Sequence, residues 1–171
     1  PAVVEERQGY EKIAEEAALA RGVQAEDLME EAGRGIAEIV RQFHRTPGIC
    51  SVFCGKGHNA GDGLVAARYL AGWGWSIDLR FACPEAMLSP LTAKKLKELS
   101  RPSSSNRARN SKIVLDGLLG IGARGEPRGE IAESIRSLNR VRREEGAWVL
   151  AIDIPSGLDG DTGVLASTCV E

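Results

Sequence analysis

Gly55-Lys56-Gly57-His58-Asn59-Ala60-Gly61-Asp62-Gly63-Leu64-Val65-Ala66-Ala67-Arg68-Tyr69-Leu70 is the stretch that decides how this chain folds. The apolar run Cys50-Ser51-Val52-Phe53-Cys54 precedes it, and Gly55, Gly57, Gly61 and Gly63 crowd its first half. Leu64, Val65, Ala67 and Leu70 then recur on one helical face. Strand, glycine-rich turn and helix in that order set backbone N–H groups and a helix N-terminus where a phosphate can sit. The glycines would supply positive φ and let the backbone approach a ligand closely. Asn59 and Asp62 add side-chain oxygens to the same turn.

Outward from this unit, helix and strand signals alternate. Upstream, residues 8–21 form a charged helical stretch, and Leu28, Met29, Ala32, Ile36, Ile39, Val40 and Phe43 mark a second helix over 26–44. The first strand spans about 49–54, and the helix after the turn runs to about Gly72. Downstream, Ser76 to Ala82 alternates as a strand, and Pro90 opens a helix with Leu91, Leu96 and Leu99. Lys112 to Asp116 reads as a short buried strand, Ile131, Ile135, Leu138 and Val141 as a helix, and Trp148 to Ile152 as a further strand. Residues 101–111 (RPSSSNRARNS) are polar and serine-rich, and read as an exposed loop. Repeated βα units of this length predict an α/β fold, a mostly parallel sheet with helices on both faces. The two N-terminal helices would pack on that sheet as an extension.

At 171 residues the chain is one domain with length enough for a core. Net charge −2 and a pI near 5.8 argue against nucleic acid as a partner. No run approaches the roughly 20 apolar residues of a membrane span, and the acid-rich start is no signal peptide. A cytoplasmic address is expected. Cys50 and Cys54 on one strand would lie roughly 13 Å apart, beyond the reach of a disulfide. The four cysteines read as reduced and mostly buried, and with only His44 and His58 a zinc site is not expected.

In an open parallel sheet, ligands bind beyond the carboxyl ends of the strands. Gly55 to Gly63 follow the first strand, and Asp116 to Gly125 (DGLLGIGARG) follow the central one. Asp153 to Asp161 (DIPSGLDGD) follow the last. Asn59, Asp116 and Asp153 thus gather on one edge. Two readings stand: the aspartates share a hard cation with Ser156 and loop carbonyls, or they cap turns and hold nothing.

GKGHNAGDGLVAARYL, VLDGLLGIGARGEPRG and AIDIPSGLDGDTG together resemble the NAD(P)H-hydrate epimerases, the YjeF N-terminal-type domain; Leu28 to Arg34 resembles the helix that opens it. The set covers residues 28–163 in order. The resemblance implies a Rossmann-like three-layer αβα sandwich that interconverts the R and S forms of hydrated NADH or NADPH, in nicotinamide nucleotide repair. It implies substrate contacts from His58, Asn59, Ala60, Gly61 and Asp62. It implies others from Gly120, Ile121, Gly122, Ala123, Arg124, Gly125 and Glu126, and from Asp153. It also implies a potassium ion on Asn59, Asp116 and Ser156, a homodimer, and a functional link to an NAD(P)HX dehydratase domain. The chain stops at Glu171, before the family's expected final strands.

The resemblance has departures. His58 stands where the family has asparagine, exchanging an amide for an imidazole. Ala60 stands for a glycine, setting a Cβ where positive φ is expected. Ile121 stands where threonine is common. The chemistry expected is acid–base work at C6 of the hydrated ring, with Asp153 protonating the leaving hydroxyl. The alternative is a non-catalytic nucleotide-binding or scaffold protein of the same fold. A nicotinamide dehydrogenase fits less well, because the glycine spacing is wrong and Glu85 lies too far along. No G-x-x-x-x-G-K-[ST] of a P-loop kinase occurs.

Overall fold

The computed structural model describes residues 22–99 and 110–171. The helix expected over 8–21 and most of the loop expected over 101–111 lie outside them. Helix α1 (Ala25–Phe43) leads into β1 (Ile49–Cys54), α2 (His58–Gly72) and β2 (Ser76–Phe81). After a short 3-10 turn come α3 (Pro90–Glu98), β3 (Ser111–Gly117), α4 (Gly129–Glu145) and β4 (Trp148–Ala151). Among the described residues, no helix is long and apolar enough to cross a membrane.

The sheet order is β2-β1-β3-β4, and every pair is parallel. Val52, Cys54 and Leu115 face a core built with α2 and part of α1, whereas Phe53 and Val114 face Ile135, Leu138 and Val141 of α4. The result is the three-layer α/β/α sandwich that the alternating elements predict. From β1 the chain winds first to β2, then back past β1 to β3 and on to β4. The switch point therefore lies between β1 and β3, where ligands bind in such sheets.

Helix α2 is buried almost all round: Ala60, Gly61, Gly63, Leu64, Val65, Ala66, Ala67 and Leu70 are all inside. A helix apolar on every face needs cover on both sides. The sheet supplies one side, and α1 the other, through Met29, Gly33, Ala37 and Val40. So α1 lies mainly across α2 and not directly on the sheet, where the sequence pattern had put it. The two helices touch closely: a Cβ on Gly33 would fall 2.4 Å from Val65 Cβ, and one on Gly61 2.5 Å from Met29 Cε.

Two local expectations are corrected. Ser111 belongs to β3, not to an exposed loop. Its Oγ lies 2.9 Å from Ser51 Oγ, and its N–H donates to Glu145 Oε2 at 2.6 Å, so the strand starts one residue earlier. Ala60 needs no positive φ. It sits in the first turn of α2, fully buried, and Asn110 is the one described non-glycine with φ above zero. All four cysteines are free; Cys50 and Cys54 are buried, which pushes both thiols up from their ordinary range.

Candidate functional site

The turn after β1 runs only from Gly55 to Gly57, because α2 already begins at His58. Gly55, Gly57, Gly61 and Gly63 all keep negative or extended φ, so backbone freedom does not explain them, and at Gly55, Gly61 and Gly63 close approach does. At Gly55 a Cβ would lie 2.0 Å from the Leu118 carbonyl oxygen. This crossing brings the loop after β1 against the loop after β3. The N-cap of α2 is Gly57, with no side-chain cap, so no capping side chain occupies this helix N-terminus at the switch point. Helix α3 fixes the turn from behind. Thr92 Oγ1, fully buried, donates to Gly57 O at 3.0 Å, and the Ser89 N–H donates to Lys56 O at 2.8 Å.

Asn59 Nδ2 donates to Leu119 O at 2.7 Å. The Leu119 N–H donates to Ser156 Oγ at 3.0 Å, and that hydroxyl donates to Asp116 Oδ1 at 2.7 Å. Asp116 Oδ2 accepts from the Ser156 N–H at 2.8 Å, and Oδ1 also accepts from the Leu118 N–H at 3.2 Å. Asp116, at the end of β3, is wholly buried, and no cationic side chain is among these partners. Burial pushes its carboxyl above the ordinary range, against the pull of the Ser156 and Leu118 hydrogen bonds. Asn59 Oδ1 is buried with no hydrogen-bond partner. A buried acceptor left unpaired costs stability, so this oxygen fits a ligand such as a cation. Asn59, Asp116 and Ser156, the residues to which the family resemblance assigns an ion, thus meet through Leu119, and Asp116 also caps a turn.

Asp153 follows β4 and is exposed, with Oδ2 accepting from the Ile121 N–H at 2.6 Å. It does not touch Asp116; Gly120 runs between Asp153 and Asn59 instead. A Cβ on Gly120 would stand 2.9 Å from Asp153 Oδ2 and 3.6 Å from Asn59 Cβ. The backbone N–H makes this contact, so it does not depend on which side chain stands at 121.

A cavity of about 1170 Å³ opens at the switch point. His58, Asn59 and Asp62 of α2 line one wall. Gly120, Ile121, Gly122 and Ala123 line another, with Asp153 between them. Ala60 and Gly61 lie beneath, buried in α2. Gly125 and Glu126 line a separate recess of about 370 Å³ toward Asp159 and Ser167, and Arg124 lines neither. The sequence reading missed Glu31, Lys56, Cys83 and Met87 on the cavity wall. Cys83 could have been found by extending the strand-end rule to β2. Among the described residues, no group of three His, Cys, Asp or Glu is placed to hold a metal ion. The donors near Asn59 are instead one carboxylate with amide, hydroxyl and carbonyl oxygens, a set suited to a hard cation of low charge.

Comparison with known proteins bears on the fold and the family. The crystal structure of yeast ynu0 superposes with a TM-score of 0.73 at 22% identity, over 93% of this chain and 74% of that one; it shares the fold. An NAD(P)H-hydrate epimerase of Rhodopirellula baltica is 34% identical over 151 residues, 82% of this chain and 60% of its own length. One of Plasmodium knowlesi is 35% identical over 153 residues, 82% of this chain and 50% of its own. A bifunctional NAD(P)H-hydrate repair enzyme of Hyperthermus butylicus is 36% identical over 154 residues, 83% of this chain and 28% of its own. The chain thus spans less than two thirds of the length of each of these three relatives. The family model described as YjeF-related protein N-terminus matches residues 25–171, and the chain belongs to that family.

Proposed function

We propose that this domain epimerises the R and S forms of hydrated NADH and NADPH, as its relatives' names suggest, in nicotinamide nucleotide repair. One observation carries the reading. Asp153, the carboxylate held by the Ile121 N–H, stands across Gly120 from Asn59 inside a 1170 Å³ cavity at the switch point. In this reading the nucleotide's phosphates lie at the uncapped N-terminus of α2, beside Lys56 and His58. Asp153 protonates the C6 hydroxyl as it leaves and assists water on its return, which scrambles the configuration. Ile121 fixes the carboxylate by hydrogen bond, and the apolar Ile36 and Ile152 on the cavity wall limit water around the ring.

A potassium ion belongs to the proposal. The unpartnered Asn59 Oδ1, the buried Asp116 and the Ser156 hydroxyl would hold it. When bound, it supplies charge neutralisation beneath the loops, since a monovalent ion polarises weakly. We also place the protein in the cytoplasm, as a homodimer, working with a dehydratase that consumes the S form. The length of the bifunctional relatives beyond the matched part leaves room for such a second activity.

The test supplies R-form NADHX and follows its conversion to S, with and without potassium, for the parent and for Asp153→Asn. Conversion by the parent and its loss in the variant are expected. Tight nucleotide binding without conversion would establish a scaffold of the same fold. Parent-like turnover by Asp153→Asn would remove Asp153 from the chemistry.

A further inference from the structure

Arg124 belongs to the loop that the family resemblance assigns to the nucleotide, yet its side chain lines neither recess. Its guanidinium turns back on its own loop. Nη1 donates to Ile121 O at 2.6 Å and to Ala123 O at 2.9 Å, while Nη2 pairs with the Asp161 carboxylate. Asp161 is held in turn, because Asp159 Oδ1 accepts from the N–H groups of Asp161 at 3.0 Å and Thr162 at 2.9 Å. On the other side of Ile121, its N–H donates to Asp153 Oδ2. One guanidinium therefore grips the carbonyl of the residue whose N–H holds the acid–base carboxylate. Glu126 fastens the far end of the loop, accepting from Ser167 Oγ at 2.6 Å and from the Ser167 and Thr168 N–H groups at 3.0 Å each.

We propose that Arg124 is a positioning residue and not a substrate contact: anchored by Asp161, it holds the Ile121 carbonyl, so that the N–H on the other side of the Ile121 Cα keeps Asp153 in place. The proposal rests on the assignment of Asp153 above. The side chains of Arg124 and Asp161 are 48% and 53% exposed. An exposed pair of this kind adds little to global stability, so its consequence is local order in the loop. The planar fork of arginine reaches two carbonyls and a carboxylate together, which a lysine ammonium on a flexible stem does not reproduce.

The test uses the full chain and reads hydrogen exchange at the Ile121 amide by NMR, beside steady-state epimerisation of NADHX. Arg124→Ala and Asp161→Asn should each speed that exchange about tenfold, with the global melting temperature unmoved. Turnover should fall about tenfold at unchanged KM, as expected for a misplaced reacting group. Arg124→Lys should behave like Arg124→Ala. A raised KM with kcat preserved, restored by Arg124→Lys, would make Arg124 a phosphate contact and overturn the proposal. Unchanged exchange at Ile121 would overturn it too, whatever the activity. If Arg124→Ala does not fold, Asp161→Asn carries the same measurement. A parent chain that does not epimerise refutes the functional reading alone, because the exchange rates still decide what Arg124 does.

Discussion

Asn59 and Leu119, sixty residues apart, are joined by a 2.7 Å hydrogen bond from the Asn59 amide to the Leu119 carbonyl oxygen. This bond ties the loop after β1 to the loop after β3 at the point where the sheet changes winding direction. It also orients the other end of the amide, leaving Oδ1 buried and unpaired. A cation that binds there stabilises the folded state by an amount that grows with the logarithm of its concentration over Kd, about 2.7 kcal/mol at a hundredfold excess. For a chain of this size that is roughly 5–10 °C in Tm. Replacing a larger cation such as choline with potassium should therefore raise the parent's melting temperature. Asn59→Ala should abolish the difference. Retention of the potassium effect in Asn59→Ala would take this oxygen out of the ion site.

Gly55 sits where β1 hands over to the turn, under the carbonyl of Leu118. Both strands are central and regularly paired there, with Cys54 opposite Gly117, so neither backbone can retreat cheaply. Gly55→Ala should cost at least about 1–3 kcal/mol in denaturant unfolding, the range for an overpacked core. The same change at Gly57, whose Cβ would meet nothing within 4 Å, should cost far less. Equal costs at the two positions would mean that backbone entropy and not the crossing decides.

Thr92 contributes nothing to the cavity wall, yet its hydroxyl holds the Gly57 carbonyl that precedes α2. Thr92→Val removes that donor while keeping the branched shape. Stability should fall by about 1 kcal/mol, the ordinary net value of such a bond. If the same loss is felt at the helix N-terminus, the KM for the nucleotide rises about fivefold. Steady-state kinetics beside a melting curve checks both, and an unchanged KM would confine Thr92 to the fold.

Much of the architecture was legible because it is written in short-range patterns. Val52, Phe53 and Val114 belong to apolar runs that can only be buried strands, and Pro90 after Ser89 announces the start of α3. The rule about strand ends put Asn59, Asp116 and Asp153 on one edge of the sheet, with Ser156 close by in sequence. What escaped was set by partners distant in sequence. Gly55 looked like a flexible turn residue because Leu118, its reason, lies beyond two further helices. Ala60 looked strained because α2 starts two residues before it, a boundary that glycine-rich sequence obscures. The charge of Arg124 is visible in sequence, whereas the direction of its side chain, toward Asp161, is not. Lys95 carried no reading from the sequence, although it is only 2% exposed.

That lysine carries the last expectation. Lys95 Nζ meets Glu26 at 2.7 Å, Glu30 at 2.8 Å and Glu98 at 3.2 Å, which clamps α3 to α1 beside the cavity. Hydrogen bonds from Lys94 and Lys95 lower the Glu26 carboxyl to about 2. Its folded value thus lies below its unfolded one, so the unfolded chain binds its proton first as the pH falls. The stabilising contribution of Glu26 is complete above its ordinary value of 4.5 and is lost on the way down to about pH 2. Glu26→Gln should therefore flatten the acid limb of the stability curve in that window, measured by urea unfolding at stepped pH. Above pH 5 the variant should be the less stable of the two, by a margin that shrinks with added salt because the carboxyl is open to solvent. Near pH 2 the two curves should converge. An acid limb that keeps its slope in Glu26→Gln would mean that other carboxylates carry the acid sensitivity of this helix pair.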